Sequence, residues 1–186
     1  MKDYSLPFGL REVVLFPLDA TGARIAAGAV KLPVSRTFSF TESEDFETLE
    51  GDDRTAASHG SGATVDWELE GGGVSLRVWK VVSGGTITES GTAGTGKRIY
   101  RKRATEQRPY FDVEGRAISD NGGDFHMVVY RCKADGDLEA SMENGSFTLS
   151  SLKGTGFGKD SPTDDFLFDF IENETAAAID QAGTGA

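Results

Sequence analysis

A single cysteine, Cys132, stands in a chain of 186 residues. No disulfide can form within the chain, which excludes a disulfide-stapled secreted module. Histidines number only two. His59 and His126 have no second histidine or cysteine at ligand spacing, so no metal site is expected. No stretch approaches the ~20 apolar residues that a membrane-crossing helix needs. The N-terminus, MKDYSLPFGLREVV, has a lysine but no continuous apolar run of signal length, so the chain is expected in the cytosol where it is made. G-x-S-x-G, H-E-x-x-H and C-x-x-C are all missing. No catalytic apparatus and no cofactor are expected. Bases are also in deficit, with 19 Lys and Arg against 30 Asp and Glu, for a net charge of -11. That sign repels phosphates, which argues against general nucleic-acid affinity and against docking on anionic lipid.

What is present suits a β-protein. The length favours one domain, able to bury about 70% of the surface its unfolded form exposes. Glycines number 24 and prolines only 5, as short strands and tight turns require. Twelve phenylalanines make the chain too apolar for a disordered one. The apolar run at 11–19 reads as a buried strand. Val30, Leu32, Val34, Phe38 and Phe40 share one parity and predict one sheet face, interrupted by Arg36. Val65, Trp67 and Leu69 predict another strand. Val74, Val78, Val81 and Val82 fall at helical spacing between bracketing glycines and predict a short helix, with a valine-rich strand as the rival reading. Further strands are expected at 86–90, 97–103, 109–118 and 124–133, with a turn at Asp120–Gly123. Others are expected at 145–152, with Phe147 and Leu149 on one face, and at the alternating Phe166, Phe168 and Phe170. The fold class is therefore mostly β: an antiparallel β-sandwich or barrel with one short flanking α-helix. A single domain is expected over 1–174, followed by a flexible alanine- and glycine-rich tail at 175–186.

Two charged segments stand out. Seven of the thirteen residues from Thr41 to Asp53 are acidic: Glu42, Glu44, Asp45, Glu47, Glu50, Asp52 and Asp53. With 54–62 they form a long loop or an extended hairpin, of a length that is usually functional or disordered. Phe46 and Leu49 are its only large apolar residues, and they either anchor it to a neighbour or tuck back onto their own domain. The opposite charge gathers at Lys97, Arg98, Arg101, Lys102 and Arg103, five bases in seven residues. In an acidic chain such a patch suits the acids of another subunit, where charges chiefly set register and partner choice. Gly91–Arg98 matches G-x-x-x-x-G-K, but Arg98 stands where a magnesium-binding hydroxyl belongs and a strand follows instead of a helix. Asp120–Asp124 and Asp135–Glu139 lack full calcium-loop spacing and read as turns. Cys132 reads as a small core residue.

The order of these pieces resembles the major tail proteins of long-tailed, non-contractile phages. The order is a strand pair, a long acidic segment, a strand, a Gly-bracketed helix ending VVSGGTITESG, and hairpins. It closes on DGDLEASMENGSFTLSSLKGTG, with Asn144-Gly145 before Ser146, Phe147, Thr148 and Leu149. The resemblance covers most of residues 10–171 and rests on glycine, turn and alternation patterns. It implies a structural virion protein without enzymatic activity, made in the host cytoplasm and located in the virion tail. Such subunits form hexameric rings that stack head to tail around a lumen through which DNA passes without specific binding. It also implies tail terminator, tape-measure and distal tail proteins as partners, and the 41–62 segment reaching a neighbouring ring. Six chains of charge -11 would line such a tube with negative charge, which lets DNA slide. Two other classes compete. One is a monomeric ligand- or carbohydrate-binding β-sandwich, which would expose aromatics; Trp67 and Trp79 instead fall on predicted core faces. The other is a head-tail joining or decoration protein, separable from a tube subunit by polymerisation.

Overall fold

The computed structural model describes residues 4–51, 54–138, 144–145, 148–161 and 163–181. Ten strands and one α-helix follow one another within these residues. They are β1 (Pro7–Pro17), β2 (Val30–Lys31), β3 (Ser35–Gly51), β4 (Arg54–Gly72), α1 (Leu76–Ser83), β5 (Thr86–Ser90), β6 (Lys97–Arg101), β7 (Phe111–Ser119), β8 (Asp124–Lys133), β9 (Leu149–Gly156) and β10 (Phe168–Asn173). A single 3-10 turn, Ala26–Gly28, precedes β2. All strand pairings are antiparallel.

The main sheet runs β2-β1-β7-β8-β9-β4-β3. β8 is its hinge. The Asp124–Val129 part of β8 pairs with β10, whereas Cys132 and Lys133 pair with Gly156 and Thr155 of β9. The sheet thus folds into two layers that enclose one core. Val13 and Leu15 of β1, Phe111 and Val113 of β7 and Val129 of β8 meet Val65, Trp67 and Leu69 of β4 and Leu152 of β9. Trp67 packs edge-on against Phe111 with ring centroids 5.5 Å apart. The layers approach closely at Gly115, where an added Cβ would lie 2.3 Å from the Phe38 ring. Phe40, Phe125, Phe168 and Phe170 close one end of the core as a chain of touching rings.

Alternation explains most of these elements. In β4, Val65, Trp67 and Leu69 are buried while Asp66 and Glu68 are exposed. β1 is different, because Val13, Val14, Leu15 and Phe16 are all 0% exposed. Its second face is covered too: Val14 and Phe16 form a smaller core with Ile179. α1 forms as the valine spacing predicts. The Ser75 hydroxyl accepts from the Val78 N–H, and Gly84, at φ 85, ends the helix by donating to the Lys80 carbonyl. Val78, Val81 and Val82 face the core. Val74 lies outside the helix and is exposed.

Several sequence readings are corrected. The 30–40 segment is two strands, broken at Val34, whose positive φ of 46 costs a β-branched residue energy. Val34 is exposed and leaves the apolar face. Arg36 is the extra residue of a bulge, since Ser35 faces Gly71 and Thr37 faces Glu70. Strand β6 ends at Arg101, and β7 begins at Phe111. β9 begins at Leu149 and buries Ser150 and Leu152, so Leu149 points outward. Phe147 lies outside the described residues. Phe166 precedes β10, with Lys159 above its ring. The tail does not leave the domain at 175: the Ala177 N–H donates to Asp124 at 2.8 Å, and Ile179 is buried. Residues 182–186 lie outside the described residues.

Candidate functional site

The acidic segment is the extended hairpin. β3 and β4 pair from Ser35 and Gly71 out to Gly51 and Arg54. β9 supports β4 only over Val65–Gly72. Beyond Val65 the two strands continue as a ribbon, nine residues of β3 against eleven of the bulged β4, ~30 Å at the usual rise. Within it Phe46 and Leu49 are 64% and 65% exposed, so neither tucks back onto its own domain. β3 stays regular, which puts Glu42, Glu44, Phe46, Thr48 and Glu50 on one face and Asp45, Glu47 and Leu49 on the other.

So acidic a ribbon pairs because no acid opposes an acid. Glu42 faces Val65, Glu44 faces Ala63, Glu47 faces His59 and Glu50 faces Thr55. Gly60 leaves room for Glu44 and Phe46; an added Cβ would sit 1.9 Å from the Glu44 carboxylate. Asp52 and Asp53 lie outside the described residues. A lone two-stranded ribbon is marginally stable in water and gains from packing against a partner.

The basic segment forms a separate two-stranded sheet, β5–β6. Its five bases have different duties. Arg98 pairs with Glu89 at 2.8 Å. Lys102 donates to the carbonyl and hydroxyl oxygens of Ser83, so it holds the C-terminal end of α1. Lys97, Arg101 and Arg103 have no ion-pair partner among the described residues. Within the Gly91–Arg98 segment, residues 91–96 are the β5–β6 turn and Lys97 begins a strand, so no helix N-terminus is present there to hold phosphate. Arm and basic hairpin belong to different sheets, and among the described residues no ion pair joins them.

A third feature was not read from the sequence. The second face of β1, β7 and β8 carries a buried charge network. Arg116 donates to Asp124 at 2.7 Å and to Glu12 at 3.1 Å. Arg24 donates to Asp112 and Glu114, and Lys31 to Glu12. His126 lies between Glu114, 3.0 Å from Nδ1, and Asp124, 3.3 Å from Nε2. The C-terminal segment seals the network. Asn173 and the Ala177 N–H donate to Asp124, and the Ile179 N–H donates to Glu12. The signal was in the sequence as Asp112, Glu114, Arg116, Asp124 and His126 at alternate positions within apolar strands. Asp124 therefore belongs to an ion network, not to a calcium loop. Among the described residues no group of three or more His, Cys, Asp or Glu is arranged to hold a metal.

This network gives stability a pH window. The bond to Glu114 holds His126 above its usual 6.5, against burial and with help from Asp124. Burial works to raise Asp124 and Glu12, yet their bonds to Asn173, Ala177 and Arg116, and to Lys31, Arg116 and Ile179, hold them below 3.8 and 4.5. The histidine contribution is complete below its unfolded value and is lost as pH rises through the folded one. The carboxylate contributions are complete above their unfolded values and are lost as pH falls. The Glu12, Asp124 and His126 contributions are therefore complete together between about pH 4.5 and about pH 6.5, while Asp112, which burial raises against its bond to Arg24, works in the opposite sense. Melting temperatures measured across this range check it: His126→Gln flattens the alkaline limb and leaves the acid limb. An unchanged alkaline limb would remove His126 from the account.

These features define an antiparallel β-protein of sandwich type with a single α-helix, a projecting acidic arm and a sealed ionic face. No protein-family model matches the chain, and no curated protein matches it in sequence. Among the described residues no helix is long and apolar enough to cross a membrane.

Proposed function

We propose that this protein is a structural subunit that assembles with its own copies into stacked rings, the tail tube of a long-tailed phage. Six-fold rings and a lumen that passes DNA come from the family resemblance. One observation carries the reading: an arm ~30 Å long that presents Phe46, Leu49 and a row of acids to solvent. A ribbon of that kind has little to do in a monomer. Arg101 on β6 and Arg103 just past its end, neither with an ion-pair partner among the described residues, supply a complement of opposite sign. Two unlike surfaces on one subunit are what head-to-tail assembly needs. Against a sugar-binding module, Trp67 is only 1% exposed and offers no stacking face.

Reversing Arg101 and Arg103 to glutamate blocks assembly, seen by electron microscopy, while circular dichroism and melting temperature stay as in the wild type. Lys102 is left intact because it holds Ser83. Normal assemblies from the double variant would end the pairing of arm with basic hairpin.

A further inference from the structure

An open groove of about 720 Å³ lies between α1, β5 and the segment from Ile25 to Val30. Ile25, Ala27, Val30 and Ile87 make its apolar lining, and Arg77 and Lys80 of α1 line it with positive charge. Both cations are exposed and have no ion-pair partner among the described residues. Glu89 also lines the groove, but Arg98 already neutralises it. Ile25 is 42% exposed.

We infer that this groove seats the β3–β4 arm of a second copy, with Phe46 as the buried anchor and the basic β6, which pairs with the β5 that lines the groove, alongside the arm. The inference rests on the self-assembly reading and names the contact that would drive it. The chemistries match. Phe46 stands in the middle of a face whose other members include Glu42, Glu44 and Glu50, none with a partner among the described residues. An aromatic ring ringed by carboxylates fits an apolar slot bordered by Arg77 and Lys80. The volume lies within the ~300–1,000 Å³ of pockets that take small-molecule ligands, and so has room for a phenyl ring.

The topology says whose arm it is. α1 follows the Gly72 end of β4 almost at once, whereas the arm tip is at the Arg54 end. The extended strand between Gly60, beside Phe46, and Gly72 spans ~40 Å. Phe46 therefore cannot reach the groove of its own chain. Arm and groove lie at opposite ends of one molecule, so each contact leaves a free arm and a free groove. That is a heterologous, head-to-tail arrangement, which propagates instead of closing on a dimer.

The test is cross-linking between two full-length variants, one with Thr48→Cys and one with Ala27→Cys, the latter carrying a size tag. Thr48 shares the face of Phe46 two residues away, and Ala27 is an exposed lining residue. The native Cys132 is buried and stays silent. Mixed at assembly concentrations under mild oxidation, the pair gives mainly the mixed covalent dimer. Adding Phe46→Asp to the T48C chain lowers its yield at least about tenfold, as loss of an anchor residue does. Homodimers in equal or greater amount would overturn the inference, as would a yield indifferent to F46D. Rings or tubes in the microscope without the mixed dimer would overturn the groove and leave self-assembly standing. Neither assemblies nor mixed dimer would overturn both.

Discussion

Replacing Arg116 with methionine lowers the unfolding free energy by about 3–5 kcal/mol, and the melting temperature by ~6–20 °C for a chain of this length. The reason is geometric. The Arg116 side chain is 15% exposed and bridges Glu12 and Asp124, whose side chains are 11% and 0% exposed. Methionine keeps an apolar stem and leaves two buried carboxylates facing each other without their shared cation. The cost extends further, because Asp124 and Glu12 also hold the N–H groups of Ala177 and Ile179. Once those carboxylates protonate or shift, the C-terminal segment loosens and Val14 and Phe16 lose their cover. Arg36→Met is the comparison. Arg36 reaches Glu70 at 3.3 Å with half its side chain in water, so its loss changes stability by less than ~1 kcal/mol. Thermal denaturation of the two variants checks the pair of values. Equal small shifts would show that the network contributes no more than surface ion pairs.

Shortening the arm has the opposite signature. Residues 44–63 replaced by Asn-Gly join Ser43 to Thr64, which already face each other, through a turn that suits a hairpin. No residue between 41 and 64 belongs to the main core, so the shortened chain keeps its melting temperature within a few degrees. Assembly is lost, because Phe46, Leu49 and the acid row go together. Removal of a central apolar anchor costs ~2 kcal/mol or more, so the concentration needed for assembly rises at least about thirtyfold. Light scattering against concentration measures it. Assembly at the wild-type concentration would show that the arm is not the contact.

Strands governed by period two were legible from sequence. Val65, Trp67 and Leu69 on β4 point inward as alternation requires, and β8 runs over the residues that its apolar content and the Asp120–Gly123 turn mark out. α1 was legible because glycines bracket a valine stripe; its Ser75 cap is seen only in the structure. Where one strand meets two environments, pattern fails. Val30 to Phe40 share a parity, yet the chain turns at Val34 to pass from one layer to the other. The ionic face was missed for a similar reason: alternating acids in β7 look solvent-facing until a remote segment covers them. That segment, with Ile179 as its one large apolar residue, carries too little local signal to be seen as docked. The segment was legible as a long loop or an extended hairpin, and it is the hairpin; the exposure of Phe46 and Leu49 rules out their tucking back onto the domain. The division of labour among the bases was not legible, since Lys102 and Arg101 look alike until Ser83 is seen beside one of them.

The central claim is that the chain is a polymerising subunit. Negative-stain electron microscopy of the purified protein over a concentration series tests it most directly. The account predicts stacked rings or hollow tubes that lengthen with concentration and shorten as salt screens the arm's charges. Isolated particles of one chain's size at every concentration and at low salt would contradict it.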